Sequence, residues 1–418
     1  MQPMRRGVCT RFIGLGEKVS PVRGKMHFVA ELTTRVPFVD LQAQYSYLRE
    51  EMNAAVLDVL ETACFIGGPI LERFEQAFAA YVGARYCVGV ANGTDAISLA
   101  ARAAGLGPGD EVLVPANSFF ATAEAISNAC ATPVFVDVDP LTFHMDPSLA
   151  VEAVTERTRA IVPVHLYGRV MNLKPFEKLA AKHNLVLIED CAQAHGAAIG
   201  EDPIGASGRL TCFSFYPAKN LGAYGDGGAV TTSDPDLMKR LRMLREHGSP
   251  ARYAHSTVGW NSRLDSLQAA VLLVKLPYLH GWNTSRREHA RKISAALEGS
   301  PIIGPVMPER EQHVFHLFVV RCTQRDELKH FLHAAGIQTG IHYPVPLHLT
   351  EAYQALGAPG RGSKPIAETL ASEILSLPMY AEMSDRQIVY VINTLQTFIK
   401  QRHPASPAEF ALSETLVK

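Results

Sequence analysis

Residues 86–106 read YCVGVANGTDAISLAARAAGL. The first part is β-branched and apolar and predicts a buried strand. The second part carries apolar residues at helical spacing, with Asn92, Gly93 and Thr94 at the junction. A strand that runs straight into an amphipathic helix is half of a parallel crossover unit. The same rhythm continues: EVLVPA (111–116) precedes FFATAEAISNAC, and TPVFVDV (132–138) precedes a turn and a helix. AIVPVHLYG (160–168) precedes the helical PFEKLAAKHN and then LVLIED (185–190). Together these segments predict an α/β chain with a mostly parallel, doubly wound sheet covered by helices on both faces. FSFY (213–216) and GAVTTS (228–233) read as two more strands. Past residue 262 the pattern changes to long helical segments, RLDSLQAAVLLVKLPYL and NTSRREHARKISAALEG. HVFHLFVVRC (313–322) then predicts a strand and DELKHFLHAAG a helix, which suits a smaller α+β domain. The expected organisation is a flexible N-terminal extension (1–35), a large domain (36–280), a small C-terminal domain (281–402) and a frayed tail (403–418).

Composition narrows the function. The 418 residues carry 40 basic against 41 acidic side chains, a net charge of −1, so no basic field points to nucleic acid or an anionic membrane. Seven scattered cysteines without a C-x-x-C pair suit free thiols in a reducing cytoplasm better than a disulfide framework or a zinc site. No apolar run approaches the roughly 20 residues of a membrane span. Residues 1–25 hold Arg5, Arg6, Arg11, Lys18, Arg23 and Lys25 against Glu17 alone, with no apolar stretch of the kind a secretory signal needs. They read as a loosely held extension, with Met26 an alternative start.

In open α/β sheets, ligands bind at the carboxyl ends of the strands. The segments ANGTD, PANSFF, HLYG, EDCAQAHG and SFYPAKN all fall there. Asp190 closes an apolar strand, where a carboxylate needs a cation or donors to offset its desolvation. Capping a following helix would serve equally. Lys219 lies on a glycine-rich turn between two apolar segments, an unusual place for an ammonium; it pairs with Asp190 in an ion pair or does chemistry. Asn92-Gly93-Thr94 opens a helix whose first amides can take a phosphate, and Ser214 offers a hydroxyl to the same anion. Phe119 and Phe120 supply either a ring to lie on a flat heterocycle or core. An amine, a carboxylate, an aromatic platform and a phosphate cradle are the set that pyridoxal 5'-phosphate requires: a lysine to bond its aldehyde, an acid on its ring nitrogen, an anchor for its phosphate. Apolar and glycine neighbours would keep that amine partly neutral. His313 and His316 make no metal pair, because residues three apart on a strand face opposite sides. No metal site is expected.

These motifs resemble the sugar aminotransferases of the DegT/DnrJ/EryC1/StrS group, which have the aspartate-aminotransferase fold (fold type I). The resemblance spans about residues 36–400. It rests on NGTDA (92–96), GPGDEVLVPANSFFATA (107–123), PVHLYG (163–168), EDCAQAHGA (189–197), SFYPAKNLGAYGDGGAV (214–230) and NSRLDSLQAAVL (261–272), in that order. It implies that Lys219 bonds the cofactor and shuttles protons, and that Asp190 pairs with the ring nitrogen. By the same resemblance Gln193 bonds the phenolic oxygen, Phe119 stacks on the ring, and Gly93, Thr94 and Ser214 hold the phosphate. It further implies that Asn261 reaches the phosphate of the other subunit, so that a homodimer shares its active sites. Related dehydratases have histidine where this chain has Lys219, which favours amino transfer. GIHYPVPLHLTEAY (340–353) resembles the form found in enzymes that aminate C3 of nucleotide-linked 3-keto-6-deoxyhexoses. His342, Tyr343 and His348 are therefore candidate substrate contacts, or parts of a proline-stiffened packing loop; His195 is open between the substrate pocket and the layer behind it. Glutamate is the expected donor. Arg252, Arg263 and Lys275 are available to a sugar-linked diphosphate. Acceptors with a C4 ketone or a keto-inositol, and a non-catalytic regulator on the same fold, are the alternatives.

Overall fold

The computed structural model describes residues 35–200, 202–206, 209–251, 253–307 and 312–402. The expected N-terminal extension, apart from Arg35, the tail after residue 402, and Arg252 lie outside the described residues. Among the described residues no helix is long and apolar enough to cross a membrane.

The predicted apolar runs become the strands of one sheet: β1 (Tyr86–Val90), β2 (Glu111–Pro115), β3 (Thr132–Val136), β4 (Thr158–Ile161) and β5 (Val186–Asp190). A short hairpin, β6 (Ala198–Ile199) and β7 (Asp202–Pro203), separates them from β8 (Leu210–Ser214) and β9 (Gly228–Thr232). The seven-stranded sheet has the order β1-β9-β8-β5-β4-β2-β3. Strands β8, β5, β4, β2 and β3 pair in parallel, whereas β9 runs antiparallel to both of its neighbours. β2 and β9 are buried at every position, as expected where helices cover both faces.

The helices of this part are α1 (Leu41–Thr62), α2 (Gly68–Tyr81), α3 (Gly93–Ala103), α4 (Phe120–Asn128), α5 (Pro147–Glu152), α6 (Lys174–His183), α7 (Pro235–Arg245) and α8 (Ser266–Lys275), on which α1 packs. The helix α3 is almost wholly buried and starts where Asn92 Oδ1 accepts from the Asp95 amide at 2.8 Å, the capping role its position predicts. Pro277, in a tight turn spanning Leu276–Tyr278, divides the long helical run into α8 and α9 (Leu279–Leu297). The described residues continue through α10 (Arg325–Ala334), α11 (Glu351–Ala355), α12 (Pro365–Glu373) and α13 (Asp385–Arg402).

HVFHLFVVRC was expected to be one strand. Only its second half is, as β10 (Phe318–Arg321), which pairs antiparallel with β11 (Ile374–Leu377), a strand the sequence pattern did not single out. His313 turns back on its own chain: its Nδ1 accepts from the Phe315 amide at 3.0 Å, and the two rings stack at 3.8 Å. That local bond breaks the ladder before β10. The β10–β11 pair, α9, α10 and α13 enclose a second apolar core around Phe315, Phe318, Leu328, Leu375, Val391 and Phe398.

Candidate active site

The carboxyl ends of β1, β8, β5 and β2 open into one cavity of about 500 Å³. Gly93, Thr94, Phe119, Asp190, Gln193, Ser214, Lys219, His342 and Tyr343 all line it. They come from segments far apart in sequence, and the sheet order brings them together.

Asp190 and Glu189 end β5 on opposite faces, as successive strand residues must. Glu189 turns away from the cavity. It meets His165 Nε2 at 3.3 Å and the Arg209 guanidinium at 3.6 Å, while His165 Nδ1 accepts from the Met171 amide at 3.0 Å. Asp190 faces the cavity and is 6 % exposed. Its Oδ2 accepts from Thr122 Oγ1 at 2.8 Å and its Oδ1 from the Ala192 amide at 3.1 Å. The helix that Asp190 was expected to cap does not form; residues 191–197 are successive turns. A turn amide therefore occupies one oxygen, and Thr122 steers the other.

Lys219 sits on the tight turn that closes when its amide donates to the Tyr216 carbonyl at 2.8 Å. Burial pushes its amine down to about 8, with the charge of Asp190 opposing the shift. Among the described residues no carboxylate comes within the 4.0 Å of an ion pair with it. The plain ion-pair explanation of the two residues is thereby removed. Amine and carboxylate share a cavity and leave space between them.

At the other end of the cavity, α3 and β8 approach so closely that only glycine fits. A Cβ on Gly93 would lie 2.6 Å from Ser214 Cβ, and one on Gly228 would lie 2.3 Å from the Asn92 carbonyl oxygen. The first-turn amides of Gly93 and Thr94 have no carbonyl to bond within the helix. They share the cavity wall with Ser214. The donor set and the dipole fit a phosphate.

Gln193 is held by its oxygen, which accepts from the Tyr167 amide at 2.6 Å. Its NH₂ group consequently faces the cavity and donates to Tyr343 Oη at 3.1 Å. Phe119 stands half-exposed at the mouth, its ring 5.5 Å from that of Tyr343, while Phe120 turns back to pack on Tyr353. His342 stacks on Phe38 at 5.6 Å and shares a hydrogen bond of 2.7 Å with Ser376 Oγ. Burial, reinforced by the charge of Lys219, lowers its imidazole to about 4. These residues form an orienting set, an amine base and an anion cradle, which together fit pyridoxal phosphate.

Three expected site residues stay outside the cavity. His195 is fully buried behind it, against Phe213 and Phe215, and is pushed down to about 3 by burial and then by the Lys219 charge. His348 is fully buried, with its Nε2 3.1 Å from Glu368 Oε1, a carboxylate that also accepts from the Gly362 amide at 2.8 Å; it packs the loop. Asn261 is exposed and bridges Glu246, away from the cavity of its own chain. Lys275 is fully buried and so cannot meet a diphosphate, and Arg263 pairs with Glu246 at 3.0 Å.

The cavity also has walls that sequence reasoning missed: Phe38 and Val39 from the N-terminal segment, Leu377 and Met379 from β11 and beyond, and His316. His316 Nδ1 lies 3.2 Å from Asn220 Oδ1, next to Lys219 in the chain. Treating 313–322 as a strand hid it, although histidine at an apolar strand edge was the available signal.

This architecture has known counterparts. The chain is 48 % identical over 372 residues to a Streptomyces venezuelae protein named dTDP-3-amino-3,4,6-trideoxy-alpha-D-glucose transaminase, covering 88 % of this chain and 97 % of that one. It is 45 % identical over 368 residues to the "pleiotropic regulatory protein" of Geobacillus stearothermophilus, covering 87 % and 99 %. The structure of S. venezuelae DesV in complex with a ketimine intermediate superposes with a TM-score of 0.86 at 47 % identity, covering 88 % of this chain and 99 % of that one. The model of the DegT/DnrJ/EryC1/StrS aminotransferase family matches residues 46–396, and the chain belongs to that family.

Proposed function

We propose that this protein is a pyridoxal-phosphate-dependent aminotransferase that moves an amino group from glutamate to C3 of a dTDP-linked 3-keto-6-deoxyhexose. The observation that carries it is the unpaired juxtaposition of Lys219 and Asp190 in one cavity, with a phosphate cradle at its end. The substrate follows from the kinship to the S. venezuelae transaminase and from the GIHYPVPLH segment, whose His342 and Tyr343 line the cavity.

Pyridoxal phosphate, when bound, withdraws electrons through its protonated ring nitrogen and carries the amino group between donor and acceptor. Asp190, oriented by Thr122 and the Ala192 amide, would hold the proton of that nitrogen. Gly93, Thr94 and Ser214 would hold the phosphate, Phe119 the ring face and the Gln193 NH₂ the phenolic oxygen. Lys219 Nζ takes the proton from the donor's α-carbon and, in the second half, delivers one to C3 of the sugar. An amine poised near 8 exchanges protons at neutral pH far more readily than one at 10.5.

Lys219 is the one amine or guanidinium among the described residues that line the cavity. Glutamate's carboxylates and the sugar's diphosphate need more positive charge than that, which supports a homodimer in which Asn261 and neighbouring basic groups serve the partner's site. Exposed Tyr47, Leu57, Leu60, Phe65 and Ile66, on and just after α1, supply an apolar face for it. We also divide the chain near residue 280, the two parts meeting across the cavity. We place the protein in the cytoplasm, where its described cysteines, all free, stay reduced.

The test is incubation of purified protein with glutamate and a panel of 3-keto and 4-keto dTDP- and UDP-sugars and a keto-inositol, with products read by mass and NMR. Amination at C3 is expected. Amination only at C4 or of a keto-inositol overturns the substrate, and a pyridoxal band that glutamate fails to shift points to a regulator.

A further inference from the structure

The turn that carries Lys219 is glycine-rich; between its roots in β8 and β9 it is held by Leu221 and Ala223, both fully buried, and by Asn220, whose Nδ2 donates to Asn283 Oδ1 at 2.8 Å and to the Val314 carbonyl at 3.0 Å. Within it, a Cβ on Gly222 would lie 2.2 Å from the Pro217 carbonyl oxygen, so residues 217–222 fold tightly upon themselves around Lys219. Glycines at 222, 225, 227 and 228 leave the stretch after Leu221 with few side chains of its own to fix it. Two side chains from α8 hold residues 222–225. Lys275, at the end of α8, is fully buried; its Nζ donates to the Gly222 carbonyl at 2.7 Å and lies 4.1 Å over the ring of Tyr224. Gln268 accepts from the Tyr224 amide through Oε1 at 2.8 Å, and its Nε2 would be 2.9 Å from a Cβ on Gly225. The two lie two turns apart on one helix, hence on one face. A lysine buried to this degree is costly without strong partners. Here a backbone carbonyl and an aromatic face of the Lys219 turn meet it, and the charge of Glu382 adds to them.

We propose that Lys275 and Gln268 are positioning residues for Lys219, clamping the backbone of residues 222–224 against α8 and thereby fixing where the amine points. Neither touches the cavity. The kinetic part rests on the aminotransferase function proposed above; the structural part does not. Proton transfer by Lys219 depends on its placement, and a displacement of about 1 Å can lower such a rate by about 100-fold.

The experiment compares Lys275→Met and Gln268→Ala with wild type in two measurements. Amide hydrogen exchange on cofactor-free protein should accelerate at least about tenfold across residues 216–225, while peptides from β2 to β5 remain unchanged. In loaded enzyme kcat should fall about tenfold or more, with KM for the keto-sugar within about twofold, since the lost interaction acts on the chemical step. Exchange that accelerates uniformly along the chain, or not at all, overturns the clamp. Local acceleration with unchanged kcat overturns its role in catalysis. Should Lys275→Met fail to fold, Gln268→Ala, at a partly exposed position, decides alone. If local exchange accelerates but wild type aminates no sugar, the clamp stands and the proposed activity falls.

Discussion

Replacing Lys219 with methionine should make the cofactor-free protein more stable, by an amount that depends on pH. The side chains are similar in size, so the exchange removes the amine and keeps most of the packing. Burial lowers the amine from the ordinary 10.5 to about 8. The unfolded chain therefore binds a proton more readily than the folded one between about pH 8 and 10.5. In that window the stability of wild type rises with pH. Below pH 8 the amine is charged in both states, and the whole penalty of burying it is present. At about 1.4 kcal/mol per pH unit, the drop corresponds to roughly 3 kcal/mol. Urea unfolding at pH 7, 8, 9 and 10, at one protein concentration, reads it directly. The methionine variant should exceed wild type by up to about 3 kcal/mol at pH 7, with the gap closing as pH approaches 10.5. Titrations common to both proteins cancel in the difference. Parallel curves, with a constant gap from pH 7 to 10, would refute the assignment of Lys219 as a desolvated amine.

Other substitutions separate the roles. Gly93→Ala places a methyl 2.6 Å from Ser214 Cβ; it should weaken pyridoxal phosphate binding at least about tenfold, measured by spectral titration, since overpacking costs about 1–3 kcal/mol. Thr122→Val removes the hydroxyl that donates to Asp190 Oδ2 at 2.8 Å; a buried acceptor stripped of one partner loses about 1–3 kcal/mol, so kcat/KM should fall by about tenfold or more. His348→Ala should lower the melting temperature while leaving KM for the keto-sugar within about twofold, because His348 bonds Glu368 and stays outside the cavity; a large rise in KM would restore it as a substrate contact. Mixing Lys219→Ala with Asn261→Ala chains should regenerate activity in verified heterodimers; no recovery would speak against shared sites.

The fold was legible where the code is local. Apolar strands ending in Asn92-Gly93-Thr94, in Asp190 and in Ser214 mark the carboxyl edge, because burial on both faces demands continuous apolar runs and turns at that edge demand glycine and polar caps. Lys219 stood out for the same reason: an ammonium among glycines has no ordinary structural work. What stayed hidden depends on long-range placement. His195 and His348 look like cavity histidines in the sequence, yet each belongs to a buried layer behind it, and nothing local distinguishes the two cases. Phe38 lines the cavity only because the N-terminal segment returns to pair Val36 with Ile337. His316 was lost to a period-two expectation that His313 interrupts with its bond to the Phe315 amide. The structural work of Lys275 required knowing which carbonyl lies under α8.

The single reversed strand in an otherwise parallel sheet sets a tolerance on the active site. Because β9 doubles back beside β8, residues 215–227 bridge two adjacent ladder positions, Ser214 and Gly228, instead of crossing over the sheet. A slip of one residue in that pairing would turn every β9 side chain to the opposite face, and with it shift the tether of Lys219. Insertions within 215–227 should thus be far less tolerated than equal insertions in the crossovers elsewhere. In laboratory evolution, new acceptor specificity should arise from the cavity walls contributed by the chain's two ends and leave this hairpin's length untouched.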